Sequence, residues 1–569
     1  MAKRPIAWMR EPQTWLALGL AVLYLVLAIP SARRAGIVTD EVYYMKAAKV
    51  YGYYAFEAVT SLAPFDPDLL YIWSYNREHP PLAKVLASIP WGLTLVLRGG
   101  DMPFELSVFA HRVGPLILSA ASVVVLSRWL AHTHGPAAGA AAGLALIGMP
   151  RWFAHSRYAA LDGPMAAMWL LTVAACWKGL RDRRWAIAAG VVFGLALATK
   201  LNAFFIPFGL GLWALLAHHE LLLDRWRELT GGRWRQALVS PPGRMLIAGA
   251  LLAPLVFFAT WPWLWTDTIA HLAGYVDKHL THTHILTHYL GTTYRTAPWH
   301  YPLVMTAATV PLTVLGLTGV GLTRTWREAD PRRRSMAILL TANAAVPVAV
   351  LMLGTPKYDG VRLFLPTFPF LAGLAGIGFA TLLDGAHRRL RETRVSVPAL
   401  AGAGLVLVAA PGAHAYATMD PYEDSYYNAA MGGPSGALAA GMEIEVWGQS
   451  NRDLVPWLNE QANASDPLSV YMPAGQLPFR YYELGDIGYV TSDLKAQYGM
   501  PNWVAGQEPL LEDNVTFVDD RTQADVVVLM SRPGMFTPAD WQLYEEEDPA
   551  HAVTVRGAPL TQVYDVRSQ

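Results

Sequence analysis

Acidic residues that could take part in proton transfer occur at two places in the first third of the chain. Asp40 and Glu41 are adjacent and directly follow the first long apolar segment, and Asp162 precedes Gly163 and Pro164 at the start of another. A carboxylate held at the membrane edge can act as a general base that deprotonates an attacking hydroxyl. The alternatives are a solvated helix terminus for the Asp-Glu pair and a helix cap for Asp162, because proline suits a first helical turn.

Cationic residues at the ends of apolar segments could bind a phosphate. Lys200 lies in a short turn between two apolar segments, Lys357 and Arg362 precede another, and Arg112 lies within the second segment. Lys84 lies in the long connection between the first two segments. Charge-assisted hydrogen bonds from such side chains would hold a lipid phosphate at the interface. The alternative for each is that its charge extends to the lipid headgroups.

A group of histidines could bind a metal ion. His279, His282, His284 and His288 lie within ten residues of one another. On a helix, the first two would share a face, as would the last two. Such spacing can hold zinc, and Glu78 could supply an oxygen ligand from the first connection. The alternative is a histidine-rich interfacial helix without a metal.

The segments that must position these residues are apolar and long. The 569 residues are 53% hydrophobic and only 15% charged, which fits a surface that faces lipid and cannot hold ionised groups cheaply. About 20 apolar residues cross a bilayer as a helix. The segments of roughly this length are 14–31, 104–127, 136–150, 161–178, 185–199, 201–217, 245–264, 302–322, 336–353, 363–383 and 396–415. We therefore predict an all-α, polytopic membrane protein with about eleven transmembrane helices.

The distribution of arginine predicts the orientation. Clusters of basic residues mark cytoplasmic connections, and here they lie at 181–184, 225–244, 324–334 and 388–394. The N-terminus is then cytoplasmic, and the long connections 32–103 and 265–301 are external. The first segment is longer than the apolar core of a usual signal peptide, so we expect it to be retained. All the candidate site residues then lie towards the external face.

The end of the chain has a different composition. From residue 417 onwards charges return, and short β-rich runs occur around 468–472, 515–518 and 526–530. We predict a membrane domain at 1–416 and an external mixed α/β domain at 417–569. The formal net charge is zero, so no basic surface argues for a nucleic acid partner. Cys176 is the only cysteine, which excludes an intramolecular disulfide and a cysteine-based metal site.

Several short motifs, taken in order, resemble those of one enzyme family. The chain is similar to the GT-C glycosyltransferases that use polyprenyl-phosphate sugars, namely the protein O-mannosyltransferases and the aminoarabinose transferases that act on lipid A. The motifs that carry the resemblance are Asp40-Glu41, Glu78-His79-Pro80-Pro81-Leu82 with Lys84, Arg112, Leu161-Asp162, Thr199-Lys200 and Lys357-Tyr358-Asp359-Gly360-Val361-Arg362. In the tail, Tyr426-Tyr427-Asn428 and Glu445-Val446-Trp447-Gly448 are similar to bacterial members that have an external tail.

The resemblance implies a fold and a reaction. It implies the GT-C fold for residues 1–415 and the transfer, with inversion, of one sugar from a polyprenyl-phosphate donor to a hydroxyl or phosphate. Asp40 matches the base, Asp162 matches a second acidic position, and Glu41 either orients the acceptor or holds Arg112. The resemblance also implies a bacterial inner membrane with the active site in the periplasm. The acceptor is a protein, a lipid or a glycan.

The sequence leaves open whether the protein binds a metal ion, and it allows functions other than glycosyl transfer. Aminoarabinose transferases place a metal near the connections that carry Glu78 and the histidines, whereas protein O-mannosyltransferases do without one. A transporter or flippase of lipid-linked sugars would show polar groups at mid-membrane depth or paired broken helices, and neither is evident in the sequence. A non-catalytic membrane scaffold leaves the ordered external motifs unexplained. An oligosaccharyltransferase would carry a Trp-Trp-Asp motif, which is absent from the sequence.

Overall fold

The computed structural model describes residues 11–60, 70–281, 284–390, 396–462, 467–485 and 509–567. Seven helices in these ranges are long and apolar enough to cross a membrane. They are Pro12–Arg34, Phe104–His134, Leu201–Thr230, Pro241–Ala259, Pro331–Met352, Thr367–Arg389 and Val397–Met419. The third of these begins as a 3₁₀ turn and continues as the α-helix Ile206–Thr230.

Two further candidate spans are broken. Pro150–Arg157 and Asp162–Gly179 meet at 104°, and Tyr301–Thr309 and Leu312–Thr325 meet at 117°. Counting each bent pair as one span gives nine candidate spans in the described residues. The predicted number of about eleven would also need Pro136–Ile147 and Arg183–Leu197 to cross. Both are shorter than the roughly 20 residues that a bilayer requires. Neither of these bends was evident in the sequence.

Shorter elements fill the connections. The α-helices are Thr39–Thr60, Leu82–Leu97, Trp234–Val239 and Thr268–Leu280. A small antiparallel hairpin pairs β1 (Thr287–Tyr289) with β2 (Thr292–Tyr294). Part of the arginine cluster after residue 388 lies outside the described residues.

Local sequence explains where several helices begin. The side chains of Asp182, Ser240, Asp330 and Ser396 each accept a backbone N–H bond from the first turn of the helix that follows. These bonds satisfy amides that have no partner within the helix.

Small residues let the membrane helices approach closely. Leu312–Thr325 packs against Thr367–Arg389 through Gly321 and Gly378. A Cβ atom at Gly321 would lie 2.1 Å from the Leu374 carbonyl oxygen, and one at Gly378 would lie 2.0 Å from the Leu317 oxygen. Only glycine fits at either position, as is common where membrane helices pack without a hydrophobic driving force.

The tail is a mixed α/β unit. Its sheet has the order β4-β3-β5-β7-β6, with β3 parallel to β4 and β5, and with β7 antiparallel to β5 and β6. The strands are β3 (Leu468–Tyr471), β4 (Val515–Val518), β5 (Val526–Met530), β6 (His551–Val555) and β7 (Ala558–Asp565). The helices are Gly433–Ala439, Val455–Gln461, Phe479–Leu484 and Pro538–Glu546. The predicted mixed α/β tail is confirmed, and the last membrane helix ends at Met419, just past the expected boundary.

The tail packs directly onto the membrane part. The Trp447 carbonyl accepts bonds from the amide (2.8 Å) and the hydroxyl (3.0 Å) of Thr39. Asn428 donates to the Val310 carbonyl (2.9 Å) at the second helix break. A broken helix in lipid must have its freed carbonyls satisfied, and here the tail supplies a donor.

Candidate active site

Four of the predicted site residues form one network of ion pairs. The Arg362 Nη2 atom lies 3.0 Å from Asp40 Oδ2, and its Nε atom lies 3.7 Å from Asp162 Oδ2. The Lys200 Nζ atom lies 2.5 Å from the other oxygen of Asp162. These residues come from four separate parts of the chain, so the fold alone brings them together.

Each of these residues stands at the end of a helical element. Asp40 lies in the first turn of Thr39–Thr60, and Asp162 is the first residue of Asp162–Gly179. Lys200 and Arg362 lie at the starts of 3₁₀ turns. The partial positive charge at a helix N-terminus favours a carboxylate there. The helix starts at Asp40 and Asp162 therefore favour the charged form of both carboxylates. Lys200 and Arg362 balance this negative charge.

Asp359, which the sequence analysis did not propose, joins this cluster to the tail. One of its carboxylate oxygens accepts from Arg362 Nη1 (2.9 Å) and from the indole N–H of Trp447 (3.2 Å). The other accepts from Arg532 Nη2 at 2.6 Å. Asp359 belongs to the Lys357–Arg362 motif, which was a usable signal. Nothing in the sequence around Arg532 pointed to this site.

Aromatic rings enclose the cluster. The Arg362 guanidinium lies 4.6 Å from the ring centroid of Trp447 and 5.4 Å from that of Tyr358. The Tyr44 hydroxyl donates to Asp40 Oδ2 at 3.4 Å. Cation–π contacts of this kind strengthen when the cation is removed from water. The rings therefore fix the plane of Arg362 while its side chain stays only 9% exposed.

The cluster's electrostatics favour a stronger base than an ordinary aspartate. Burial raises the pKa of the Asp40 carboxyl, the Arg362 guanidinium opposes this, and the negative charges of Asp162 and Asp359 add to the rise. The same carboxylates keep the pKa of Arg362 well above its usual value despite its burial. Asp40 thus gains proton affinity beside a permanently charged cation.

Some polar atoms at the site have no hydrogen-bond partner within the described residues. They are Asp162 Oδ2, Arg362 Nε and Arg532 Nε, and all three are buried. An unsatisfied buried donor or acceptor typically costs about 1–3 kcal/mol. Nearly all buried polar atoms in folded proteins have a partner, so each exception needs an explanation, and a role in binding or catalysis is one such explanation.

Glu41 and Arg112 form a separate, fully buried pair. Arg112 bonds both carboxylate oxygens of Glu41, at 2.8 and 2.6 Å, and its guanidinium also donates to the carbonyls of Ala32, Ala35 and Gly36. Every nitrogen of the guanidinium is therefore bonded to protein, and neither side chain is exposed. This corrects the prediction that Arg112 binds the donor phosphate, and it leaves no oxygen of Glu41 open to an acceptor.

The two remaining predicted phosphate ligands are bonded to backbone. Lys84 Nζ donates to the carbonyls of Asn76 (3.0 Å) and His79 (2.7 Å), and burial lowers the pKa of Lys84 to about 7. Lys357 Nζ donates to the Thr355 carbonyl at 2.9 Å. Neither ammonium forms an ion pair with the Asp40 cluster in the described part of the chain. Lys84 instead fixes the loop that carries Glu78 and His79.

The structure separates the proposed metal ligands. His279 lies in Thr268–Leu280, whereas His284 bonds Thr296 (3.1 Å) from a loop and His288 bonds Thr293 (2.9 Å) from β1. His284 and His288 therefore do not share a helical face.

No metal-binding set forms around these histidines in the described residues. Glu78 accepts a bond from Asn76 (3.1 Å), and His282 lies outside the described residues. No three His, Cys, Asp or Glu side chains of the described ranges are grouped as metal ligands. The proposed ligands that the structure describes are therefore not arranged around a common metal position.

Comparison with known proteins identifies the fold. Residues 88–243 match the family described as dolichyl-phosphate-mannose-protein mannosyltransferase. The crystal structure of ArnT from Cupriavidus metallidurans bound to undecaprenyl phosphate matches over 97% of this chain and 98% of that one, at 17% identity and a TM-score of 0.50.

A second enzyme is less similar. The archaeal oligosaccharyltransferase AglB from Archaeoglobus fulgidus, in complex with an inhibitory peptide and a dolichol-phosphate, matches over 89% of this chain and 65% of that one. Its identity is 13% and its TM-score 0.45. No curated protein matches the sequence. The chain is a multi-pass membrane protein with the GT-C fold.

Proposed function

We propose that the protein is an inverting glycosyltransferase that moves one sugar from a polyprenyl-phosphate donor to an acceptor at the outer face of the membrane. The observation that carries the proposal is the convergence of Asp40, Asp162, Lys200 and Arg362 on one point. The partial match to the mannosyltransferase family and the undecaprenyl phosphate bound to ArnT support a lipid-phosphate donor.

Asp40 is the general base of this reaction. It takes the proton of the acceptor hydroxyl as the oxygen forms a bond to the anomeric carbon, and the bond from that carbon to the phosphate oxygen breaks. Polyprenyl phosphate leaves from the opposite face, so the anomeric configuration inverts. The raised pKa of Asp40 favours this role, since a base works best when its pKa approaches the operating pH.

Lys200 and Arg362 stabilise the departing phosphate. Negative charge on the leaving group grows in the transition state, and fixed cations in a site with little water stabilise it strongly. Arg362 Nε lies 3.7 Å from Asp162 Oδ2 and makes no hydrogen bond within the described residues, so a phosphate oxygen that replaces this long contact would gain its donor. Asp162 positions both cations, because each of its oxygens faces one of them.

The remaining predicted site residues take supporting roles. Glu41 and Arg112 fix the chain between the first helix and Asp40, because Arg112 bonds carbonyls on that connection. Lys84 holds the loop around Glu78. Lys357, whose pKa burial lowers, stays a candidate for a second contact to the phosphate.

The orientation follows from the arginine clusters. Connections 181–184, 225–244 and 324–334 face the cytoplasm, and the Asp40 cluster and the tail face the periplasm of a bacterial inner membrane. The acceptor is a protein, a lipid or a glycan that reaches the cluster from that side.

A panel of donors tests the proposal. Purified protein in lipid vesicles is incubated with polyprenyl-phosphate hexoses and pentoses and with peptide, lipid and glycan acceptors. The expected result is a new glycoside of opposite anomeric configuration, with an equal amount of free polyprenyl phosphate. A product that retains the donor configuration would overturn the inverting mechanism.

Movement of the donor across the bilayer without a product would favour a transporter instead. The observation that favours a transporter is the presence of two bent helix pairs, because transporters often build their substrate sites from broken membrane helices. Each bend, however, contacts the candidate active site or the tail. Asp162, at the first bend, is the first residue of Asp162–Gly179, and Asn428 of the tail donates to Val310 at the second bend.

A further inference from the structure

A cavity lies at the end of the membrane helices that is remote from the Asp40 cluster. It has a volume of about 490 Å³ and lies between the start of Pro12–Arg34 and the ends of Phe104–His134 and Asp162–Gly179. Its volume falls in the range of about 300–1,000 Å³ that is usual for ligand pockets. None of the site residues described above lines it.

Helix geometry separates this cavity from the Asp40 cluster. Asp162 starts the helix Asp162–Gly179, and Lys178 at its other end lines the cavity. Sixteen residues of α-helix span roughly 24 Å. The same spacing separates Arg112 from Arg128 in Phe104–His134. In the orientation proposed above, on which this inference rests, the cavity opens to the cytoplasmic leaflet.

The rim of the cavity is cationic. Arg128, Lys178, Arg181 and Arg332 line it, and Asp182 is the one acidic residue among the described residues of the lining. Arg128 is held by Glu11 at 2.7 Å and by Thr14 at 2.9 Å. Lys178 Nζ lies 4.2 Å from the centroid of the Trp185 ring. Arg181 and Arg332 are exposed, so two cations are available to an anion at the mouth.

The walls of the cavity are apolar. Val124, Val125, Trp129, Ala174 and Trp177 line its interior, and the two tryptophan rings lie 6.2 Å apart. The apolar walls would contribute no binding energy to a soluble anion, and the cationic rim would contribute none to a hydrocarbon chain. A ligand that uses both surfaces has a charged head and an apolar tail.

We propose that this cavity binds an anionic glycerophospholipid of the cytoplasmic leaflet. Its phosphate contacts the cations at the rim, and the first part of an acyl chain lies along Val125, Ala174 and Trp177. Basic pockets between membrane helices on the cytoplasmic side select anionic headgroups in this way. The site is distinct from the donor site by position and by residue.

Photo-crosslinking in nanodiscs tests the proposal. The full chain is placed in phosphatidylcholine nanodiscs that contain a small fraction of phosphatidylglycerol with a photoreactive acyl chain, and adducts are quantified by mass spectrometry. The pocket variant is Lys178→Gln/Arg181→Gln/Arg332→Gln. The matched control is Arg183→Gln/Arg184→Gln/Arg334→Gln, which removes the same charge from exposed neighbours that do not line the cavity. Val125→Trp fills the cavity without changing charge.

The expected result is adducts on the peptides around Val125 and Ala174 that fall on the order of tenfold or more in the pocket variant. The control should match wild type, Val125→Trp should lose the adducts, and unlabelled phosphatidylglycerol should compete while phosphatidylcholine does not. An equal loss in the pocket variant and the control would overturn the proposal. So would equal competition by phosphatidylcholine, or by undecaprenyl phosphate at lower concentration. The readout is independent of sugar transfer, so a failure here leaves the proposed function untouched.

Discussion

Burial and the charge of Arg362 act on Asp40 in opposite directions. Burial favours the protonated carboxyl, whereas the guanidinium at 3.0 Å favours the carboxylate. Burial is the larger of the two effects on the pKa of Asp40, and the carboxylates of Asp162 and Asp359 add to the rise. The raised pKa makes Asp40 a stronger base for the proposed reaction, since a carboxylate with the ordinary pKa of about 3.9 is a weak base at neutral pH.

The sign of this shift predicts the pH dependence of transfer. A base must be deprotonated, so kcat/KM should fall as pH drops through the raised pKa of Asp40, at a higher pH than an ordinary aspartate would give. Asp162→Asn removes a negative charge and should move this acidic limb to lower pH, whereas Arg362→Gln should move it to higher pH. Rate profiles of the variants measure the shifts. Asp101→Asn, in an exposed position of the same external connection, should leave the limb unmoved.

The buried Glu41–Arg112 pair should matter chiefly for stability. Arg112→Gln leaves Glu41 buried without its cation, and breaking such a pair typically costs about 3–5 kcal/mol. We expect a lower thermal unfolding temperature. Arg227→Gln is the matched control, because Arg227 forms an ion pair with Asp224 in which both side chains are exposed. Its cost should be at most about 1 kcal/mol. Equal stability of the two variants would contradict the structural role of Arg112.

Residue type and position predicted part of the site. Asp40, Asp162, Lys200 and Arg362 all stand at the ends of apolar segments, where a charge is unusual enough to notice. Asp359 lies in the Lys357–Arg362 motif but was not singled out within it, and Arg532 did not stand out, because a charged residue in an external loop or a tail is ordinary. Only the fold reveals that they meet.

At the scale of elements, the closest helix contact gives a sharp test. Gly378→Ala places a methyl group 2.0 Å from the Leu317 carbonyl oxygen, so the helix Thr367–Arg389 must move away from Leu312–Thr325. Overpacking of this kind typically costs about 1–3 kcal/mol. Gly319→Ala on the same helix pair meets nothing within 4 Å. It should be neutral or stabilise by up to about 1 kcal/mol. Unfolding in detergent compares the two variants.

The positions of the membrane helices could be predicted from the sequence, but their bends could not. Apolar length located Pro12–Arg34 and Val397–Met419 within a few residues at each end. The same signal missed both bends. A polar donor from a distant segment, such as Asn428 at Val310, is what makes a bend tolerable in a membrane. Hydropathy along the chain carries no information about such a donor.

At the scale of the whole molecule, the tail contributes residues to the candidate active site. Trp447 and Arg532 both bond Asp359, and the Trp447 backbone holds the turn that starts with Thr39, beside Asp40. The tail therefore determines how Asp359 divides its charge between Arg362 and Arg532. A tail that bound only an acceptor would have no need of these contacts.

A double-mutant cycle tests this connection. Arg532→Gln frees one oxygen of Asp359, so that Asp359 competes more strongly for Arg362 and transfer slows. Because the two residues are in contact, Arg532→Gln and Asp359→Asn should be non-additive by about 1–3 kcal/mol in transfer energetics. Arg521→Gln is the control, since Arg521 pairs with Asp540 inside the tail. It should be additive with Asp359→Asn within about 0.5 kcal/mol.

The most direct test of the central claim measures polyprenyl phosphate release by Asp40→Asn and wild type in the same vesicles, with donor binding measured in parallel. With a hydroxyl acceptor, we expect Asp40→Asn to bind donor normally and to release polyprenyl phosphate about 10²–10⁴-fold more slowly. Asp101→Asn should behave as wild type. Release by Asp40→Asn at the wild-type rate would contradict the assignment of Asp40 as the base and, with it, the proposed mechanism.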